Sequence, residues 1–164
     1  MYYQEKRTIV GIAEGIALLA AYCIYVTGKL NAGAATLDDL KFFAVAMLTF
    51  IGIGIVLAIV IQIVFHILFS VSIAVRERNN DEKQVETAIN AAMVEDERDK
   101  IIDLKSTRIP FIVSMVGFIA GLVLVALEYP AAVMLNILFI AASLGSIGEG
   151  VAKLIYYKAG VRNG

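Results

Sequence analysis

The chain has 164 residues, of which 60% are hydrophobic and 18% charged, with a formal net charge of −1 and a mean hydropathy of +0.81. This balance lies well outside that of soluble globular domains and predicts an integral membrane protein. With basic residues cancelled by acidic neighbours, above all between residues 76 and 108, nothing resembles the electrostatic footprint of a nucleic-acid binder.

Four apolar segments, at 8–28, 42–75, 109–127 and 131–152, are long enough for the roughly 20 residues that cross a ~30 Å hydrocarbon core. Backbone groups cannot stay unpaired in lipid and period-2 alternation is absent, so the segments are expected as helices rather than barrel strands. The resulting expectation is all-α: a single membrane domain built as a four-helix bundle. Its spans fall at about 8–28, 42–65, 109–127 and 131–152, with a cytoplasmic helical insertion at about 66–108.

Lys6 and Arg7 precede the first span. A basic start, an apolar run and Ala32-Gly33-Ala34 also have the outline of a secretory signal with its cleavage site, but the run is nearer the length of a full span. Cys23 is alone, so no intrachain disulfide can form, and a packed, inert thiol is expected. Thr36 and Asp39 have the spacing of a capping box that would start the second helix, with Asp38 and Asp39 suited to its dipole.

The second apolar segment is too long for one crossing: 34 residues of helix extend about 51 Å. Residues 62–75 are therefore expected to tilt or emerge and to be covered by the middle loop. There Val85, Ile89, Ala92 and Met93 recur at helical spacing, which predicts an amphipathic helix over 81–94. A further helix over 95–108 should run into the third span, with Pro110 near the junction. Pro130 is placed to open the fourth helix after a tight turn at Glu128-Tyr129.

Orientation follows from the basic residues. Seven lie between the second and third spans, and Lys153, Lys158 and Arg162 end the chain, whereas the two opposite loops hold only Lys29 and Lys41. By the positive-inside tendency both termini and the middle loop are cytoplasmic, in the cell membrane. Tyr2, Tyr3, Tyr156 and Tyr157 would form an inner aromatic belt, and Tyr25, Tyr129, Phe42 and Phe43 an outer one.

Placed by depth along the helices, the intramembrane polar residues converge. Glu14 lies about 10 Å from Arg7 and Ser114 about 9 Å from Arg108, while Glu149 sits one turn before Lys153, and Gln62 and His66 fall at the cytoplasmic end of the second helix. Each helix thus offers a polar group at a similar inner-third depth. Lipid-facing charge is costly, so such carboxylates face the bundle and pair or protonate. Three readings stay open: interhelical glue in which Glu14 pairs with Lys153, Gln62 or His66; a cavity binding a cation or cationic ligand through Glu14 and Glu149; or a proton switch at Glu14 or His66. Gly11 with Gly15, and Gly117 with Gly121, form two small-xxx-small faces suited to helix contact and self-association into a homo-oligomer.

The stretch EDERDKIIDLKSTR, residues 95–108, followed by an apolar helix, a short turn and a last helix ending in YYKAG, resembles a family of small prokaryotic membrane proteins of uncharacterised function. Their D-E-R-D-x-x-I-x-x-K-x-x-R pattern matches Asp96, Glu97, Arg98, Asp99, Ile102, Lys105 and Arg108, and the similarity covers mainly residues 95–158. Some such proteins are encoded beside compact DNA-binding regulators, so the resemblance implies a membrane sensor that holds or releases a regulator. It brings no catalytic or cofactor residues. From spacing alone, Arg98, Ile101, Lys105 and Arg108 share one helix face that could meet lipid phosphates or an acidic partner, with Asp96 paired to Lys100.

No enzyme motif emerges. His66 is the sole histidine, Cys23 has no second cysteine beside it, and GSIGEG at 145–150 lies in an apolar helix with no preceding strand, so zinc, bis-histidine haem and phosphate-loop chemistry are not expected. No cofactor or metal is anticipated. The sequence points to a non-enzymatic sensor or interaction protein docking a cytoplasmic partner through Arg98, Lys105 and Arg108, with a small cation transporter or channel using Glu14 and Glu149 as the alternative.

Overall fold

The computed structural model describes residues 3–76 and 96–159. The described residues are helical apart from tight connections: α1 (Tyr3–Asn31), α2 (Leu40–Arg76), α3 (Glu97–Ser106), α4 (Arg108–Ala126) and α5 (Ala131–Ala159). Among the described residues four stretches, Tyr3–Asn31, Leu40–Ile73, Glu97–Ala126 and Ala131–Ala159, are long and apolar enough to cross a membrane. The amphipathic helix expected over 81–94 lies outside the described residues.

The turns between α1 and α2 and between α4 and α5 close with the same chemistry. After α1, Gly33 adopts φ 66°, its N–H donates to the Leu30 carbonyl and the Ala34 N–H to the Lys29 carbonyl. After α4, Glu128 takes φ 66° in the same role, with Glu128 N–H donating to Val125 and Tyr129 N–H to Leu124. Each is a paired 6→1 and 5→2 helix stop, normally built on glycine. Helix α2 is capped by Asp39, whose Oδ1 accepts from the Phe42 N–H at 3.0 Å; Thr36 contributes only its carbonyl, to the Asp39 N–H. The expected Thr36 box is thus replaced by an Asp39 cap three residues on.

Pro130 immediately precedes α5, as expected, and its carbonyl takes the Val133 N–H. Pro110 has a larger effect. It lacks the N–H that would bond to Ser106 and its ring crowds that carbonyl. The helix accordingly breaks at Thr107, separating α3 from α4.

Helix α5 is central, packing along α4 and α1 and also touching α2 and α3. Small residues allow this. A Cβ on Gly117 would overlap that of Ala141, one on Gly145 would come within 2.8 Å of the Pro110 Cα, and one on Gly121 within 2.8 Å of Met134 Cγ. Gly117 and Gly121 therefore serve the contact between α4 and α5 inside one chain. Gly15 packs on Ile147 of α5, whereas Gly11 faces open space.

A compact core sits toward the α1–α2 and α4–α5 turns, where Tyr22, Val26, Phe43, Ala46, Met47 and Ala132 are buried together. Phe43, expected in an outer aromatic belt, belongs to this core at 1% exposure; Tyr25 and Tyr129 remain exposed. Tyr22 also donates from its hydroxyl to Asn136 Oδ1 at 2.6 Å, and Asn136 Nδ2 donates to the Ala132 carbonyl, so this polar pair is internally satisfied. Cys23 points outward rather than into the packing.

The long α2 is apolar on every face and mostly exposed, the pattern of a helix that contacts lipid. One face of its C-terminal half, at Phe65 and Phe69, meets the first turn of α1, which begins five residues before the expected span. Tyr3 meets Phe69 edge-on at 4.8 Å and Phe65 at 5.3 Å, and the Lys6 ammonium lies 5.6 Å from the Phe69 ring. Residues 66–76 continue α2 without a break, as the length of the second apolar segment implies.

Candidate functional site

Toward the end of the molecule that holds Tyr3, Arg76 and Ala159, helices α1, α2 and α5 diverge around a cavity of about 490 Å³. Gly54 and Ala58 of α2 and Gly11 and Gly15 of α1 line it, so the space exists where side chains are smallest. Tyr3, Phe65 and Tyr157 supply aromatic surface.

Four of the six expected polar-layer residues line this one cavity: Glu14, Gln62, Glu149 and Lys153. Two do not. His66 is exposed on α2, its carbonyl accepting from the Ser70 hydroxyl, and Ser114 lies on α4, away from the cavity. Arg7 and Asp103 complete the charged lining, and neither was expected there.

The partners differ from those expected of Glu14. Lys153 Nζ lies 2.9 Å from Asp103 Oδ1 and 3.0 Å from Glu149 Oε1, so it joins one carboxylate on its own helix to one on α3. Arg7 Nη2 donates to Gln62 Oε1 at 2.9 Å, tying α1 to α2. Glu14 is left half-buried with no hydrogen bond or ion pair among the described residues. The glue role is thus filled by Lys153 and Arg7, not by Glu14.

Helix α3 is fixed to this site. Its start is a capping box within the D-E-R-D motif: Asp96 Oδ1 accepts from the Glu97 N–H at 2.7 Å and Asp99 Oδ2 from the Asp96 N–H at 3.1 Å. Asp96 is therefore a cap and not the partner of Lys100. Arg98 Nη2 donates to the Tyr157 carbonyl at 3.0 Å, meeting the last turn of α5 where the helix dipole favours a cation. Ile102 and Ser106 are fully buried, with the Ser106 hydroxyl donating to the Ile102 carbonyl.

The inward face of α3 is accordingly Arg98, Ile102 and Ser106. Ile101 and Leu104, at 43% and 74% exposure, and Arg108 point outward, while Lys105 is half-buried. The single face expected for Arg98, Ile101, Lys105 and Arg108 is split.

Among the described residues no group of three or more His, Cys, Asp or Glu side chains is arranged to hold a metal ion. Comparison of the chain with family models, curated proteins and solved structures finds no match, so the geometry and chemistry of the chain carry the functional reading. What they define is a multi-pass, all-helical architecture of the membrane-spanning type, with a polar cavity at one end and a short charged helix docked against it.

Proposed function

We propose that the protein is a non-enzymatic membrane sensor. It sits in the cell membrane with both termini in the cytoplasm, reads a small ligand in the cavity, and presents α3 to a cytoplasmic partner. One observation carries this reading: a single ammonium, Lys153 Nζ, is shared between Glu149 in the cavity wall and Asp103 on α3. Any ligand that changes the charge around Glu149 changes the hold on α3, because the two carboxylates compete for the same cation. The orientation is supported by the gathering of Arg7, Arg98, Lys153 and Lys158 at the cavity end, against Lys29 and Lys41 at the other.

A second reading, a small carrier or channel for a cation, is favoured by Glu14, which lines the cavity with no partner among the described residues. Photo-crosslinkers at the exposed Ile101 and Leu104, in native membranes, separate the two. The sensor reading expects a soluble protein captured by the otherwise wild-type chain and captured to a different extent with Lys153→Met. Capture of lipid and the chain itself alone, with cation flux in vesicles abolished by Glu14→Gln, supports transport instead.

A further inference from the structure

Charge in the cavity wall does not balance. Asp103 and Glu149 share the single cation Lys153, which leaves that cluster with one surplus negative charge. Arg7 is held by the neutral oxygen of Gln62, and Glu14 has no partner among the described residues. Three carboxylates (Glu14, Glu149, Asp103) therefore line the space against two cations (Arg7, Lys153), a net of −1 when all are ionised. At this depth between apolar helices, an unpaired ionised carboxylate is unfavourable and is relieved by a counter-charge or by a proton.

The space beside Glu14 is shaped for an occupant. Gly11, one turn before it, has no atom within 4 Å of the position a Cβ would take. Leu18, Ala58 and Ile61 continue the lining as apolar surface. The cavity, about 490 Å³, lies within the roughly 300–1,000 Å³ typical of small-molecule sites. One free carboxylate, with no three-ligand cluster among the described residues, suits a singly charged organic ion and not a divalent metal.

We propose that this cavity binds a small organic monocation, an alkyl- or arylammonium whose charged head rests on the Glu14 carboxylate and whose apolar body lies against Leu18, Ala58 and Ile61. The aromatic rings of Tyr3, Phe65 and Tyr157 add cation-attracting faces along the lining. This names the ligand class of the site read above as a sensor's input, and rests on that reading of the cavity.

The test is calorimetric titration of the full chain in phosphatidylcholine nanodiscs with benzylammonium, using benzyl alcohol as the neutral molecule of the same shape and empty nanodiscs as background. Benzylammonium should bind saturably and the alcohol about tenfold more weakly. Glu14→Gln should weaken benzylammonium binding by about tenfold, whereas Arg7→Gln, which removes an opposing charge about two turns away, should tighten it by about threefold. Opposite shifts in two variants cannot both arise from misfolding.

Binding that is equal in Glu14→Gln, equal for the alcohol, or absent above background overturns the proposal. The sensor reading fails separately. If benzylammonium binds as described but crosslinking through Leu104 is unchanged on saturation, the ligand class stands and the coupling to α3 falls. If none binds while partner capture still depends on Lys153, the ligand class alone falls.

Discussion

Glu128 holds the left-handed backbone position that closes α4, with the same φ of 66° that Gly33 adopts after α1. A Cβ in this region costs ~1–2 kcal/mol, a strain that glycine lacks. Glu128→Gly should therefore stabilise the protein by about 1 kcal/mol, and Gly33→Ala should destabilise it by a similar amount; equilibrium unfolding in detergent measures both. Identical stability for Glu128→Gly and wild type would mean the turn relaxes in solution.

At the same scale, depth counting along helices singled out Glu14, Gln62, Glu149 and Lys153, which line one cavity, because rise per residue is fixed. His66 and Ser114, at similar depth, do not line it, since depth carries no information about which way a side chain faces on a helix that is apolar all round. Asp103 was missed because its role depends on how α3 folds back on α5, a non-local contact with no local signature.

The element scale turns on small residues. The seam between α4 and α5 brings Gly117 against Ala141 and Gly145 against the Pro110 backbone, while Gly11 faces cavity space. Gly117→Ala and Gly145→Ala should each cost about 1–3 kcal/mol by overpacking, and Gly11→Ala should be close to neutral, all three read by the same unfolding measurement. A Gly117→Ala protein as stable as wild type would show that the helices can separate freely.

The stripe Gly117–Gly121 was legible in sequence as a contact face. Its partner was not, because a small-xxx-small face is equally suited to a neighbouring helix of the same chain or of a second copy. The D-E-R-D motif likewise marked a helix start, yet spacing alone could not distinguish the Asp96 cap from an Asp96–Lys100 pair. Pro110 identified the junction, and the break it causes at Thr107 follows from its missing N–H.

For the whole molecule, composition and segment length were sufficient to read four spanning-type helices, because lipid imposes length and apolarity directly on sequence. They did not reveal that α5 lies at the centre with α2 and α4 on separate flanks of it, since that arrangement is set by which apolar faces carry glycine. The consequence is an open cavity at one end, sealed at the other by the core around Tyr22 and Phe43. Charged contacts fill the cavity end, and among them Lys153 links the cavity wall to α3.

That link is measured most directly as a distance. Spin labels at Leu104 on α3 and Ile155 on α5, both exposed, would be introduced in a Cys23→Ser background and read by pulsed electron resonance in nanodiscs. With Lys153 present, a single narrow distribution is expected; with Lys153→Met it should broaden and shift to longer distance as α3 loosens. A distribution left unchanged by Lys153→Met would contradict the account, because α3 would then be held without reference to the cavity.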